Sequence, residues 1–216
     1  DATYTLELVD IGDIDSGASQ VFKDEEGKNT ISSIIGSLAY DRRDNIYNPT
    51  GGYYLMNSIQ NTGGFIGGDK NFYKYIALGE YYQTFFQKIV LQLKAQGGFA
   101  NKYSGSNAVP IYERFFAGGQ YTIRGYKERS VGPQDSLTGE YIGGTSMAIG
   151  NAEITFPLYE NMLKGAVFFD AGDVWANASN FFSTSLKYGA AAGIRIKTPI
   201  GHVSLNLGLS LSTIKV

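Results

Sequence analysis

The feature that most constrains the fold of this chain is an alternation of apolar and polar residues with a period of two. Residues 88–96, 151–157 and 202–212 show it most clearly. The last of these segments places apolar side chains at every second position: Val203, Leu205, Leu207, Leu209 and Leu211. Successive side chains of a β-strand point to opposite faces, so each segment would have one apolar and one mostly polar face. The alternation therefore predicts an all-β protein.

Alternation alone leaves open which face is buried. A soluble sandwich hides its apolar face in a core, whereas a membrane barrel turns that face to lipid. Small residues at the polar-face positions and the scarcity of highly charged turns favour a transmembrane antiparallel β-barrel. The composition, with 43% apolar residues, 16 Tyr and 13 Phe, agrees with a barrel. Trp175 and many tyrosines are then expected in an interfacial belt.

The periodic segments predict about nine strands. Their expected bounds are 3–9, 31–43, 53–62, 72–85, 87–103, 146–158, 163–174, 185–198 and 202–212. The connections alternate between compact turns, at 45–52, 84–88, 157–163 and 198–201, and long polar segments at 10–30 and 104–145. Membrane barrels keep short turns on one side of the membrane and long loops on the other.

Several function classes have no support in the sequence. The chain has no Cys, which excludes disulfides and thiolate metal sites, and a net charge of −2 gives no basis for binding nucleic acid. The single histidine, His202, stands in no hydrolytic or metal-binding motif. Asp10, Asp13 and Asp15 lack the spacing of a calcium loop. We therefore expect no catalytic residues, no metal and no cofactor.

Segment 104–145 is far longer than an ordinary connection, and such loops are usually functional or disordered. Gly118, Gly119 and Gly125 would permit a tight fold, and Arg124 supplies a forked cation. An arginine in a partly dry barrel interior needs carboxylates, and the next two predicted strands offer Glu153 and Asp170. The alternative is a solvated Arg124, with both carboxylates lining a wet pore.

Three short motifs follow one another in this part of the chain. Gly118-Gly119 stands four residues before Arg124-Gly125-Tyr126, with Ile123 preceding the arginine; Val131-Gly132-Pro133 and Phe169-Asp170-x-Gly172 come later. Together they resemble the signature of the BamA-like superfamily of outer-membrane assembly and secretion barrels. The segment from Tyr40 to Tyr53 resembles the charged strand end and hairpin of the same family, and we interpret its Asp41, Arg42, Arg43 and Asp44 as rim architecture.

The resemblance implies more than the residues do. It implies a partial barrel domain over 1–216, matching strands seven to fifteen of a sixteen-stranded barrel, with loop 104–145 directed into the lumen. Glu153 and Asp170 would anchor the motif Gly118, Gly119, Ile123, Arg124, Gly125 and Tyr126, and Phe169 and Gly172 would support Asp170. Gly172 would leave room for the loop tip.

The implied function is insertion of β-barrel proteins into the bacterial outer membrane. The implied partners are outer-membrane lipid, unfolded β-barrel clients, accessory assembly lipoproteins and the remainder of the barrel itself. Two alternatives stay open: a TamA-like or two-partner secretion transporter, and the barrel anchor of a surface-displayed patatin-like hydrolase.

Overall fold

The computed structural model describes residues 1–86, 88–103, 105–106, 108–159, 162–183, 185–198 and 201–211, with backbone alone at 197–198 and 201–202. Within these ranges lie the strands β1 Ala2–Ile11, β2 Gly27–Asp41, β3 Gly52–Thr62, β4 Phe72–Phe85, β5 Ile89–Lys102, β6 Ser146–Tyr159, β7 Leu163–Trp175, β8 Lys187–Thr198 and β9 Gly201–Ser210. A one-turn helix α1 (Gln20–Lys23) and three 3-10 turns, Gly64–Ile66, Ile111–Glu113 and Ala178–Asn180, lie between strands. None of the helices described has the length and apolar character needed to cross a membrane.

The nine strands form one antiparallel sheet in which each strand pairs with its neighbours in sequence. This confirms the predicted strands, although β2 begins at Gly27 rather than at residue 31. The predicted strand ends at 87 and 212 lie outside the described residues. Within the described part of the chain, β1 and β9 each pair on one side only, so the sheet has two open edges. An open sheet is expected if these strands form part of a larger barrel.

The connections lie alternately at the two ends of the sheet, because every strand reverses the direction of the one before it. Segments 12–26, 63–71, 103–145 and 176–186 lie at one end, which we call the long-loop end. The β2–β3 turn, residues 42–51, lies at the other end, the short-turn end, as do the ends of the strands that the β4–β5, β6–β7 and β8–β9 connections join. The predicted alternation of short and long connections is confirmed except at the β2–β3 turn 42–51, which is slightly longer than segment 63–71.

The two faces of the sheet differ in what covers them. Segment 103–145 packs on one face, which we call the covered face; the opposite one is the outer face. Leu91 and Leu93 of β5 register with Ile154 and Ala152 of β6 on the outer face. Large apolar side chains there are exposed: Leu6, Leu8, Leu38, Leu55, Ile59, Leu93, Ile154, Val167, Leu205, Leu207 and Leu209. A soluble sandwich would bury these side chains, so the outer face is built for lipid.

The core of the molecule lies between the covered face and segment 103–145. It consists of Phe72, Ala100, Val109, Phe115, Ala117, Ile123, Val131, Met147, Ile149 and Val174. The loop therefore contributes five of these ten core residues instead of lying in solvent. The expectation that Trp175 belongs to an interfacial belt is wrong. Its side chain is only 2% exposed, because Phe181 and Phe182 pack against the ring.

Candidate functional site at the lumen loop

Segment 103–145 folds back on itself and is fixed to the covered face. Isolated antiparallel bridges join Phe115 to Gly144 and Ala117 to Val131. Phe115, Ala117, Ile123 and Val131 are each at most 6% exposed. Ordering a loop of this length costs conformational entropy, and the buried apolar side chains offset it. The segment thus holds its tip, residues 118–126, in a defined place.

Arg124 at this tip contacts both predicted carboxylates. Its Nε and Nη2 donate to the two oxygens of Asp170 at 2.8 and 2.7 Å, and its Nη1 donates to Glu153 Oε2 at 2.6 Å. The Arg124 backbone N–H also donates to Asp170 Oδ2, at 2.9 Å. The bidentate pairing with Asp170 fixes the plane of the guanidinium as well as its position. The structure therefore brings together the three residues expected to meet, and the solvated-arginine alternative is wrong.

The cluster is largely withdrawn from solvent. The side chains of Arg124 and Glu153 are 12% exposed and that of Asp170 is 1% exposed. Burial by itself would lower the pKa of Arg124, but the hydrogen bonds that Arg124 donates to Asp170 and Glu153 outweigh that effect, and the net shift of this pKa is upward. Arg124 is therefore a permanent cation whose charge is matched inside the protein.

Three further side chains complete the cluster. Phe168 places its ring 3.6 Å from the Arg124 guanidinium carbon, a cation–π contact. Asn151 donates to Asp170 Oδ1 at 2.8 Å and to the carbonyl of Thr122 at 2.6 Å, which ties the tip to β6. Arg195 of β8 donates to Glu153 Oε1 at 2.9 Å. Strands β6, β7 and β8 and the loop therefore meet at one largely buried network.

The remaining predicted motif residues shape the tip. Gly118 accepts from the Thr122 hydroxyl at 2.9 Å, and the Gly119 N–H donates to the Tyr126 carbonyl at 3.1 Å, which closes the tip at its base. Ile123 is fully buried, and Tyr126 packs partly buried against the same core. Gly125 has φ of +94°, a left-handed conformation that residues with a Cβ rarely adopt.

The tip lies directly on the backbones of β8 and β9. A Cβ added at Gly189 of β8 would overlap the Arg124 carbonyl oxygen, and one added at Gly208 of β9 would stand 2.7 Å from the Gly125 nitrogen. A Cβ at Gly125 would in turn stand 2.5 Å from the Leu209 carbonyl carbon. We call Gly189 and Gly208 the glycine cradle. Because β9 is an edge of the described sheet, the cradle connects the anchored tip to that edge.

Two predicted supporting residues have other positions than expected. Phe169 lies on the outer face, 46% exposed and stacked on Tyr188; its neighbour Phe168 is the one that contacts Arg124. Gly172 lies on the covered face, but the atoms nearest to an added Cβ there belong to Ala148 and Ile149 of β6. The room for the tip comes from the glycine cradle instead. Sequence reasoning missed the cradle because it depends on how the loop registers with β8 and β9.

The chemistry available at the cluster is that of an anchor. In the described part of the chain, no group of three or more His, Cys, Asp or Glu side chains could hold a metal ion. Two guanidinium groups and two carboxylates balance one another, and every one of them has a partner. Removing one partner of such a network leaves a buried charge uncompensated. The arrangement resists displacement of the loop.

An open antiparallel sheet with an apolar outer face and an arginine-anchored loop on its covered face defines the class: a wall segment of a transmembrane β-barrel. The chain belongs to the Omp85 superfamily, whose domain model matches residues 2–215. It is accordingly an integral outer-membrane chain.

Several proteins similar to this chain are named as factors of protein assembly. The outer membrane protein assembly factor BamA of Nitratidesulfovibrio vulgaris is 31% identical over 96% of this chain and 26% of its own length. The human sorting and assembly machinery component 50 homolog is 29% identical over 76% of this chain and 36% of its own length. A crystal structure of Haemophilus ducreyi BamA lacking POTRA domains 1–3 matches 85% of this chain and 40% of that chain, with a TM-score of 0.74 at 22% identity. The chain spans about a quarter of the length of the BamA relatives.

Proposed function

We propose that this chain forms a rigid wall and the lumen loop of a factor that inserts β-barrel proteins into the outer membrane. The observation that carries the proposal is the Arg124 tip, which joins β6, β7, β8 and β9 from inside while the outer face stays apolar. The similarity to BamA and sorting and assembly machinery proteins supports assembly over the secretion-transporter and hydrolase-anchor alternatives.

The proposed mechanism involves no covalent chemistry. An unpaired strand edge is a template for another strand, and an incoming client segment would pair with such an edge of the complete barrel. A wall that flexed with every pairing event would close the edge again. The anchored loop, whose tip lies against β8 and β9, would keep the wall stiff while the edge exchanges partners.

The proposed partners follow from this mechanism. Lipid contacts the outer face, and unfolded client barrels contact the edge. Further polypeptide of the same barrel, in a cylinder that we propose has sixteen strands, pairs with β1 and β9. Accessory lipoproteins are proposed to act at the short-turn end, which faces the periplasm in barrels of this kind.

The test is reconstitution of the complete protein in proteoliposomes with a urea-denatured client barrel. Folded client would be detected as a protease-resistant, heat-modifiable band on a gel. We expect client folding to be much faster with the protein than in protein-free liposomes of the same lipid. Equal rates in the two kinds of liposome would refute the assembly function.

A further inference from the structure

A separate cavity lies on the covered face, on the short-turn side of the Arg124 cluster. Its volume is about 420 Å³. The β2–β3 turn closes one side of it through Tyr47, Asn48 and Pro49, and strands β4 to β9 each contribute at least one lining side chain. We call it the turn chamber. It shares Glu153 and Arg195 with the Arg124 cluster but does not include the Arg124 guanidinium, and its turn residues come from the segment from Tyr40 to Tyr53.

The β2–β3 turn reaches across the sheet to form this chamber. Lys164 of β7 donates from Nζ to the Asn48 side-chain carbonyl at 3.2 Å, although three strands lie between β3 and β7. Hydrogen bonds within the β2–β3 turn hold it in the conformation that places Asn48 next to Lys164. Asn45 accepts from the backbone N–H groups of Tyr47 and Asn48 at 2.8 and 3.0 Å, and the Asp44 carboxylate binds Thr50.

The charges that line the chamber do not balance. Lys164 and Arg195 contribute two cations, and Glu153 is the one carboxylate among the described lining residues. Glu153 already accepts from Arg124 as well as from Arg195. Lys164 takes part in none of the ion pairs found among the described residues, and its recorded acceptor is the neutral amide of Asn48. The described lining residues therefore carry a surplus of positive charge beside Lys164.

The rest of the lining suits an extended polypeptide. Tyr82, Gln92 and Ser204 present hydroxyl and amide groups that can pair with a peptide backbone, and Val90 and Met162 provide apolar contacts. A cavity that binds only an inorganic anion would not need apolar lining residues such as Val90 and Met162. The sheet also separates the chamber from the outer face, so lipid headgroups on that side do not reach it.

We propose that the turn chamber binds a carboxylate side chain of an extended polypeptide. The carboxylate would take the place of the Asn48 amide oxygen on Lys164 Nζ and would lie beside the Arg195 guanidinium, giving a charge-assisted hydrogen bond where the protein supplies a neutral one. The inference rests on the proposed function, because that function makes an unfolded polypeptide the substrate. It adds a lumen site that selects acidic segments, distinct from strand pairing at the edge.

The experiment measures binding of two labelled peptides by the complete protein in lipid nanodiscs, using fluorescence anisotropy. The peptides share one extended sequence and differ by Glu or Gln at the central position. We expect the Glu peptide to bind about tenfold more tightly, the size of effect typical of one charge-assisted hydrogen bond. In Lys164→Gln this preference should fall to near onefold, and Lys164→Arg should keep most of it.

The matched control is Lys94→Gln, which removes a lysine from the covered face outside the turn chamber. It should leave the preference intact. Equal binding of both peptides to the unsubstituted protein, or a preference that persists in Lys164→Gln, would overturn the proposal. Inorganic phosphate and chloride are each titrated against the bound Glu peptide. If phosphate displaces the peptide at a far lower concentration than chloride does, the polypeptide assignment is overturned.

Client folding in proteoliposomes, measured on the same preparations, separates this proposal from the function on which it rests. Normal client folding together with equal peptide binding would refute the turn chamber alone. Absence of client folding by the unsubstituted protein would refute the assembly function, whatever the peptides do.

Discussion

Two arginine clusters lie on the covered face, and they differ in how far along the chain they reach. Arg124 binds Asp170, 46 positions away, and Glu153, 29 positions away. Arg43 binds Asp41, two positions away, with Nη2 to Oδ2 at 2.6 Å, and approaches Glu80 of β4 at 3.5 Å. Both guanidinium groups lie near an aromatic ring, Phe168 in one cluster and Tyr54 in the other.

The comparison shows that burial alone does not make an arginine an anchor. The side chains of Arg43 and Arg124 are 14% and 12% exposed, and hydrogen bonds to carboxylates raise the pKa of both. Arg43, however, pairs mainly within its own strand end, and the hairpin would hold that geometry by its own ladder. Arg124 joins the tip of a long loop to carboxylates on two different strands, β6 and β7. The Arg124 cluster acts as an anchor because it joins residues far apart in the sequence, not because it is more deeply buried than the Arg43 cluster.

The largest expected effect tests that difference directly. Replacing Arg124 with Ala removes the cation from two buried carboxylates. Breaking a buried pair costs roughly 3–5 kcal/mol, reduced towards ~1 kcal/mol where water screens the lumen. We expect Arg124→Ala in the complete protein to raise protease cleavage within 105–145 and to slow client folding, without melting the strands. Arg124→Lys should recover only part of the loss, because an ammonium cannot match both carboxylates in the same fork geometry.

An Arg124→Ala protein with a wild-type cleavage pattern and wild-type client folding would contradict the bracing role. The far-ultraviolet circular dichroism spectrum serves as the check that the strands persist.

The next effect sharpens the comparison at β9, where Gly208 lies against the tip. Gly208→Ala places a methyl group against the Gly125 nitrogen. Overpacking of this kind costs about 1–3 kcal/mol, and we expect it to lift the tip from β9 and increase hydrogen exchange at 122–126. Gly150→Ala is the matched control, because a Cβ at Gly150 in β6 meets nothing closer than 3.9 Å. If both variants exchange alike, the glycine cradle does not hold the tip.

Arg43→Ala should have a smaller and more local effect. Its loss frees Asp41 and Glu80 near the short-turn end, so exchange should increase in the turn 42–51 and in the adjoining ends of β2 and β3. Exchange within 118–126 should stay as in the unsubstituted protein. An equal loosening of the tip in Arg43→Ala and Arg124→Ala would remove the distinction between the two clusters.

The sequence predicted the architecture because each strand carries its own alternation and each long loop its own polar composition. It also predicted that Arg124 would meet Glu153 and Asp170, since three motifs stand in a fixed order. It chose Phe169 where Phe168 makes the contact, because the two are identical in type and adjacent. It interpreted Asp41, Arg42, Arg43 and Asp44 as rim architecture but did not predict the ion pairs of Arg43, because a charged strand end is equally typical of a solvated rim and of a local ion pair. The glycine cradle depends on loop-to-strand register, which no local pattern encodes.

The smallest expected effect concerns a contact that also reaches far along the chain, but at the long-loop end. The Ser19 hydroxyl donates to Asp135 Oδ2 at 2.5 Å, joining segment 12–26 to the lumen loop. This hydrogen bond, with the N–H groups of Leu137 and Thr138, lowers the pKa of Asp135 from its usual 3.8. A lowered carboxyl pKa stabilises the folded contact above the usual value and loses that stabilisation as the pH falls through the lowered one.

We therefore expect hydrogen exchange in segment 12–26 to be constant at neutral and mildly acidic pH and to increase only below about pH 4, after correction for the intrinsic exchange rate. Asp135→Asn keeps an acceptor for the Ser19 hydroxyl but removes the titration, so its exchange should lose this step. An acid-induced step of the same size in Asp135→Asn would show that another group controls the contact. The Ser19–Asp135 contact shares no residue with the Arg124 cluster, so we expect the tip at 118–126 to stay protected when segment 12–26 loosens. Simultaneous loosening of both would mean that the long-loop contact and the Arg124 anchor form one unit rather than two.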